Sequence, residues 1–504
     1  MPGSGGRSAP LEIAPEEFAS LAREVVDLTS GFLETLPTRR VTRGESPKAI
    51  RALLGRGGVP QHASDPRQLM KEVSGLLFDH SLLNGHPRFW GYVTSSAAPI
   101  GALGDFLASV VNPNVGAYSL SPVATEIERQ TIRWLAEMVG YDPGCGGLLV
   151  SGGNMANLVA FLVARRTKTP WAIQKKGING GKGRRLIVYA SNETHNWIFK
   201  AADLFGLGLD SIHWIPVDDQ LRMDATELRR AIKRDLRTRN VPFLVVGTAG
   251  TVQTGVVDPL PELASICKDN GLWFHVDGAY GAFAALLRDP PGDLRGMAKA
   301  DSVALDPHKW LYAPLEAGCV LVRREKLLKE TFSHHPAYYR FGKLGEEEPI
   351  NYYEYGPQNS RGFRALKVWL ALRQVGLEGY RKMISDDAEL ARYLFEVVSK
   401  NEELEALTNS LSITTFRYVP PDLNVGSKRT EKYLNKLNAT LLEKLQAGGE
   451  IFPSNAVVGG KFALRCCIVN FRTSRKDIEA VPEVVVRVGR QTDLELRKKR
   501  GFSL

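Results

Sequence analysis

Seven short apolar runs, at residues 148–151, 186–190, 212–217, 243–248, 272–277, 302–306 and 319–323, alternate with stretches of helical spacing. Successive side chains of a strand point to opposite faces, so a run that is apolar throughout must be covered on both sides. The intervening helices supply that cover. The pattern predicts an α/β fold with a mainly parallel sheet between about residues 86 and 323. In such sheets ligands sit beyond the carboxyl ends of the strands, so chemistry is sought where each run stops.

The flanks read differently. Residues 1–12 are small and polar, an arm without structure of its own. Behind Pro15, residues Phe18, Leu21, Ala22, Val25, Leu28 and Phe32 repeat at helical spacing. The segment 1–85 has too few apolar residues for its own core and must lie on the rest of the chain or on a second subunit. Residues 331–360 hold Pro336, Pro349, Pro357, the acidic Glu346-Glu-Glu348 and five of the 15 tyrosines, which reads as a lid or binding loop. A helix with Phe363, Leu366 and Leu370 on one face follows, and then helices and strand-like runs at 412–418 and 464–471. The expected division is an N-terminal helical segment (1–85), a large domain (86–375) and a smaller C-terminal α/β domain (376–504).

With 43% apolar and 24% charged residues among 504, the chain has the composition of a folded globular protein. Lys plus Arg outnumber Asp plus Glu by 65 to 55, but the basic residues are dispersed and join no recognition motif, which argues against nucleic acid as a partner. The five cysteines (145, 267, 319, 466, 467) form no C-x-x-C, and no H-E-x-x-H is present, so neither a disulfide framework nor a metal site is expected. The N-terminus lacks the order of a signal peptide and no apolar run reaches membrane-spanning length; the expectation is a cytoplasmic protein.

No Walker A, G-x-S-x-G or helix-opening G-x-G-x-x-G is found. Instead, polar residues close the apolar runs. Asp277 ends one and is followed by Gly278, Ala279 and Tyr280; alone, it could as well cap the next helix. The next run ends in Asp306-Pro-His308-Lys309-Trp310. An amine and a carboxylate sharing one sheet edge suggest pyridoxal phosphate, whose aldehyde needs an amine to hold it and whose pyridine nitrogen needs a carboxylate to stay protonated. Its phosphate needs small residues at a helix start, and Ser151-Gly-Gly153-Asn154-Met-Ala-Asn157 opens a helical stretch after an apolar run. His195, just beyond the run ending at Ala190, could stack a flat imidazole on the pyridine ring or simply face solvent.

The order and spacing of His86-Pro-Arg-Phe, the glycine turn at 151–157, the His195 loop, Gly250-Thr251-Val-Gln-Thr-Gly, His275-Val-Asp-Gly-Ala-Tyr and Asp306-Pro-His-Lys-Trp resemble the group II pyridoxal-phosphate amino-acid decarboxylases, over about residues 15–490. The resemblance implies fold type I with a seven-stranded, mainly parallel sheet, and a homodimer whose active sites lie at the subunit interface. It also implies that Lys309 anchors the cofactor, Asp277 pairs with its ring nitrogen, and His195 and Ala279 sandwich the ring. Gly153, Asn154 and His308 would approach the phosphate, Thr251 would lie near the cofactor, and Tyr338 would donate a proton from the lid. Segments such as residues 121–128 and 361–369 look closest to the aromatic amino-acid branch, with Tyr92 lining the substrate pocket. Val93 and Gly116 stand where that branch carries larger aromatic groups, which predicts a roomier or less aromatic pocket; Asp306 replaces the usual Asn, and Gly278 an Ala. The implied activity is decarboxylation of an aromatic L-amino acid (Trp, Tyr, DOPA or Phe) to its amine. The alternatives are an aldehyde synthase, a decarboxylase of glutamate, aspartate or cysteine sulfinate, an aminotransferase, and a cofactor-binding protein without activity. Because related aldehyde synthases replace the lid tyrosine by Phe or the stacking His by Asn, Tyr338 and His195 together favour simple decarboxylation.

Overall fold

Each of the seven apolar runs forms a strand in the computed structural model, which describes residues 9–334, 349–423 and 425–500. The strands are β1 (Gly146–Val150), β2 (Leu186–Ser191), β3 (Ile212–Ile215), β4 (Val241–Thr248), β5 (Trp273–Asp277), β6 (Ser302–Leu305) and β7 (Gly318–Val322). They make one sheet in the order β1-β7-β6-β5-β4-β2-β3. β7 alone runs against its neighbours, so the other six all present their carboxyl ends at one edge. Except for β3, at the sheet's margin, and the start of β4, every strand residue is buried, as helical cover on both faces requires.

Beyond residue 400 the pattern changes to an antiparallel sheet of β8 (Leu404–Ser410), β9 (Ile413–Tyr418), β10 (Ser454–Val458) and β11 (Lys461–Cys467), ordered β10-β11-β9-β8. The helices Lys428–Gly448 and Arg475–Arg500 contribute Leu434, Leu437, Leu441, Ile478, Val481 and Val485 to a core shared with this sheet. The helix Ala365–Ser399 links it to the large sheet and breaks at Gly376, whose φ of 68° is left-handed.

His86-Pro-Arg-Phe joins the two parts rather than lining the sheet edge. Phe452 N–H donates to the Arg88 carbonyl, Trp90 N–H to the Phe452 carbonyl, and Cys467 N–H to the Trp90 carbonyl. His86 Nδ1 accepts from Arg88 N–H, which leaves Nε2–H to donate to the Arg39 carbonyl at 2.9 Å.

Within the stretch 331–360, expected to be a lid, described residues towards both ends are packed. Residues 331–332 finish the helix Lys326–Phe332. Tyr352, Tyr353 and Tyr355 are buried, the last donating to Glu325 Oε1 at 2.6 Å; large apolar rings with a satisfied hydroxyl pack better than they solvate. Residues 335–348, and Tyr338 with them, lie outside the described residues.

Candidate active site

β5 and β6 pair in parallel with Asp277 opposite Ala304, so Asp277 and Asp306, just past β6, emerge together at the carboxyl edge. Asp277 is buried. Its Oδ2 accepts the indole N–H of Trp197 at 2.8 Å and its Oδ1 the backbone N–H of Ala279 at 3.2 Å. Two neutral donors thus fix its orientation without neutralising it.

Behind Asp277 runs a closed hydrogen-bond chain. Trp273 Nε1–H donates to Ser302 Oγ at 2.8 Å, Ser302 Oγ meets His275 Nδ1 at 2.9 Å, and His275 Nε2 meets Asn157 Oδ1 at 2.7 Å. These partners assign the neutral tautomer with the proton on Nε2. Burial pushes the His275 pKa down from 6.5 to about 4, against the opposing pull of Asp277. A depressed folded-state pKa means that the unfolded chain binds the proton more readily between those values. Stability from this group is therefore complete above about pH 6.5 and falls as the pH drops towards 4, by about 3 kcal/mol in all. Thermal melts at pH 7 and pH 5 should show this loss in the wild type and much less of it in His275→Asn; equal losses would contradict it.

Lys309 Nζ lies 3.0 Å from Asp306 Oδ2. Asp306 Oδ1 is buried and has no hydrogen-bond partner among the described residues. His308 Nδ1 accepts from Ala317 N–H at 3.1 Å, and its Nε2 stands 3.7 Å from Asp306 Oδ2. Burial lowers the His308 pKa, which Asp306 partly offsets.

The helix Gly153–Lys168 begins against this group. A Cβ on Gly153 would stand 2.6 Å from Asp306 Oδ2 and 2.7 Å from the Ala279 Cβ, so only glycine fits. The first-turn N–H groups of that helix have no intrahelical acceptor. Asn154 is exposed on the same turn. His195, also exposed, accepts Trp197 N–H on Nδ1 at 3.2 Å; desolvation by nearby protein lowers its pKa, with Asp277 opposing and Lys309 reinforcing the shift.

Other sequence-predicted residues sit further out. Thr251 is buried, its hydroxyl 3.0 Å from that of Thr254. Tyr92 is half exposed, its ring 6.4 Å from that of Phe452, and Val93 packs against the large core. Gly116 does not open the space expected of it: a Cβ there would stand 2.3 Å from the Asn359 carbonyl oxygen, so backbone already fills that volume. Gly278 is equally constrained, with the Ala282 Cβ 2.7 Å from the position a side chain would take.

Two residues were not anticipated from the sequence. Trp197 holds Asp277, and nothing in its loop announces that partner. Arg465 on β11 is only 4% exposed, donating from Nε to Ser454 Oγ at 3.0 Å and from Nη1 to the Val252 carbonyl. Among the described residues no carboxylate pairs with it, and burial lowers its pKa. A charged residue inside an otherwise apolar strand was the available signal.

An amine, a fixed carboxylate, two imidazoles and a helix start thus converge on one sheet edge. Residues 47–419 match the model of the pyridoxal-dependent decarboxylase conserved domain. The chain belongs to the pyridoxal-dependent decarboxylases. It is 34% identical over 469 residues to an aromatic-L-amino-acid decarboxylase of Bacillus atrophaeus, covering 93% of this chain and 94% of that one. It is 27% identical over 480 residues to a phenylacetaldehyde synthase of a Rosa hybrid cultivar, covering 94% and 93%. In structure it is similar to Oryza sativa TDC with PLP and tryptamine, with a TM-score of 0.88, 25% identity and 96% and 99% coverage. The fold is therefore fold type I, and the enzyme is a pyridoxal-phosphate-dependent amino-acid decarboxylase.

The residues present fit that cofactor. Lys309 would supply the amine, Asp277 the carboxylate, and the side-chain-free wall at Gly153 would admit a phosphate to the helix start. The unpartnered Asp306 Oδ1 marks a buried position left for a donor. Among the described residues no cluster of His, Cys, Asp or Glu could hold a metal ion, and no helix is long and apolar enough to cross a membrane.

Proposed function

We propose that this enzyme decarboxylates an aromatic L-amino acid to the corresponding amine and carbon dioxide. The observation that carries the aromatic class is the 34% identity to an aromatic-L-amino-acid decarboxylase over 93% of the chain. Tyr92 beside Phe452 supplies an aromatic wall for such a side chain.

In this reading Lys309 would hold the cofactor's aldehyde, Asp277 would face its ring nitrogen, and Gly153, Asn154 and His308 would hold its phosphate. His195 and Ala279 bracket its ring, and Thr251 closes the loop beside it. When bound, pyridoxal phosphate supplies the sink for the electron pair left as the carboxylate departs. Asp277, held by Trp197 and Ala279, keeps a proton on the ring nitrogen. Arg465 binds the substrate's carboxylate, since a buried guanidinium without a carboxylate partner is costly until an anion joins it. Tyr338, outside the described residues, would deliver a proton to the substrate's α-carbon, and Lys309 is the amine that would hold the cofactor between turnovers. Excluding water while that proton is delivered is the task of the segment around Tyr338.

Arg465→Met should raise KM by about 10–100-fold, the worth of a charged hydrogen bond, with a smaller change in kcat. An unchanged KM would remove Arg465 from the substrate site.

The helix Pro99–Val111 leaves Leu103, Phe106, Leu107 and Val110 exposed on one face. A second copy of the chain is the proposed cover, forming a homodimer with active sites at the interface. Light scattering at micromolar concentration should give twice the 55.6 kDa chain mass; the single-chain mass would contradict this. All five cysteines are free, which supports placement in the reducing cytoplasm.

Turnover of Trp, Tyr, DOPA and Phe, set beside His, Glu, Asp and cysteine sulfinate, tests the substrate class. An aromatic substrate should exceed every non-aromatic one in kcat/KM by about tenfold or more. A non-aromatic best substrate would overturn the class while leaving the decarboxylase chemistry intact. The second reading, an aldehyde synthase, is favoured by the 27% identity to phenylacetaldehyde synthase.

A further inference from the structure

The turn carrying Lys309 is tied from behind by one buried carboxylate. Asp387 lies in the helix Ala365–Ser399, past the break at Gly376, and is 2% exposed. Its Oδ2 accepts the indole N–H of Trp310 at 3.0 Å and the hydroxyl of Tyr312 at 2.7 Å. Among the described residues no cation pairs with it. Two neutral donors therefore converge on one oxygen of a buried carboxyl group, which orients the donors rather than balancing a charge.

Both side-chain donors belong to the Lys309 turn. Tyr312 adopts a φ of 54°, a left-handed conformation that costs a non-glycine residue about 1 kcal/mol or more. Its N–H donates to the Lys309 carbonyl at 3.2 Å, and its carbonyl accepts from Ala98 N–H at 2.8 Å. Its ring stands edge-on to Phe471 at 5.5 Å. Trp310 stacks on Tyr280 at 5.2 Å, and Tyr280 closes the loop that starts at Asp277. A single acceptor thus reaches both the amine's turn and the carboxylate's loop.

We infer that Asp387 is a positioning residue for the reaction, fixing the Lys309 turn through Trp310 and Tyr312 and the loop after Asp277 through the Trp310–Tyr280 stack. The inference rests on the reading of Lys309 and Asp277 as the groups that hold the cofactor. Burial, reinforced by Asp386, pushes the Asp387 pKa up to about 7, while the bonds from Tyr312 and Trp310 oppose the rise. The other titratable groups facing this cluster are the Tyr380 phenol and the Cys467 thiol. Asp386 is itself paired with Lys382.

The test uses full-length, cofactor-loaded enzyme with Asp387→Asn and Asp387→Leu. Asn keeps an acceptor for both donors, whereas Leu keeps none. Leu should lower kcat by about 10–100-fold with little change in KM, and should alter the visible circular dichroism of the bound cofactor at full cofactor content. Asn should restore both kcat and the spectrum to within about threefold of wild type, because the acceptor geometry survives. A Leu variant with wild-type kcat and spectrum, or an Asn variant as impaired as Leu, would overturn the inference. Should the Leu variant not fold, Tyr312→Phe takes its place. It removes one donor and leaves the carboxylate, and it should change kcat and spectrum in the same direction; no change in either overturns the inference. Borohydride reduction of the loaded wild type followed by peptide mapping separates the two readings. Cofactor on a lysine other than Lys309 sinks both, whereas cofactor on Lys309 with silent Asp387 variants sinks this one alone.

Discussion

Lys309→Ala is expected to lower kcat by about 10³-fold or more while leaving a folded protein. The side chain is 23% exposed and its ionic partner within hydrogen-bond reach is Asp306 at 3.0 Å, so truncation leaves no large cavity but does leave a buried carboxylate unpaired. Among the described residues, Asp306 would then have neither oxygen paired with a cation at close range, since Oδ1 has no partner there and His308 stands 3.7 Å away. Breaking such a pair destabilises the protein, so Tm should fall as well. The double variant Lys309→Ala/Asp306→Asn separates the two effects. It should recover the lost Tm and none of the lost activity. Recovery of activity would show that Lys309 served the ion pair and not the reaction.

Asp277→Asn is expected to lower kcat by about 10²–10³-fold with little change in Tm. Asn is nearly isosteric, and its carbonyl oxygen can still accept from Trp197 Nε1 or from Ala279 N–H. What disappears is the negative charge that, in the proposed reading, would face the ring nitrogen. Trp197→Phe is the complementary change, removing the donor while leaving the charge. It should cost less, about tenfold, because Ala279 N–H still holds one oxygen. If the two variants lost equal activity, orientation rather than charge would be the contribution of Asp277.

The large sheet was legible in the sequence because both faces of each strand are buried, so the runs are apolar without alternation and bounded sharply by polar residues. The same boundaries drew attention to Asp277, the last residue of β5, and to Lys309, four residues past the end of β6, as a pair at one sheet edge. Residues that act from a distance left no such mark. Asp387 sits beside Asp386 in what reads as an ordinary solvated helix, and only the fold turns it inward towards Trp310 and Tyr312. Trp197 looks like a helix-start aromatic until Asp277 is placed next to it. Gly116 misled for the opposite reason: a missing side chain reads as empty space, yet the Asn359 carbonyl occupies it. The tyrosines at 352, 353 and 355 were grouped with an open loop because prolines and acidic residues surround them, but burial of their rings outweighs that local composition.

The central claim is that the carbon dioxide released is matched by amine. The enzyme, loaded with pyridoxal phosphate, should be given its best aromatic substrate in air, with carbon dioxide, amine, aldehyde and hydrogen peroxide measured together by mass spectrometry and a peroxide assay. Equal molar amounts of carbon dioxide and amine, with neither aldehyde nor peroxide, are the predicted result. Aldehyde formed with an equivalent of peroxide in place of the amine would contradict it and make the chain an aldehyde synthase.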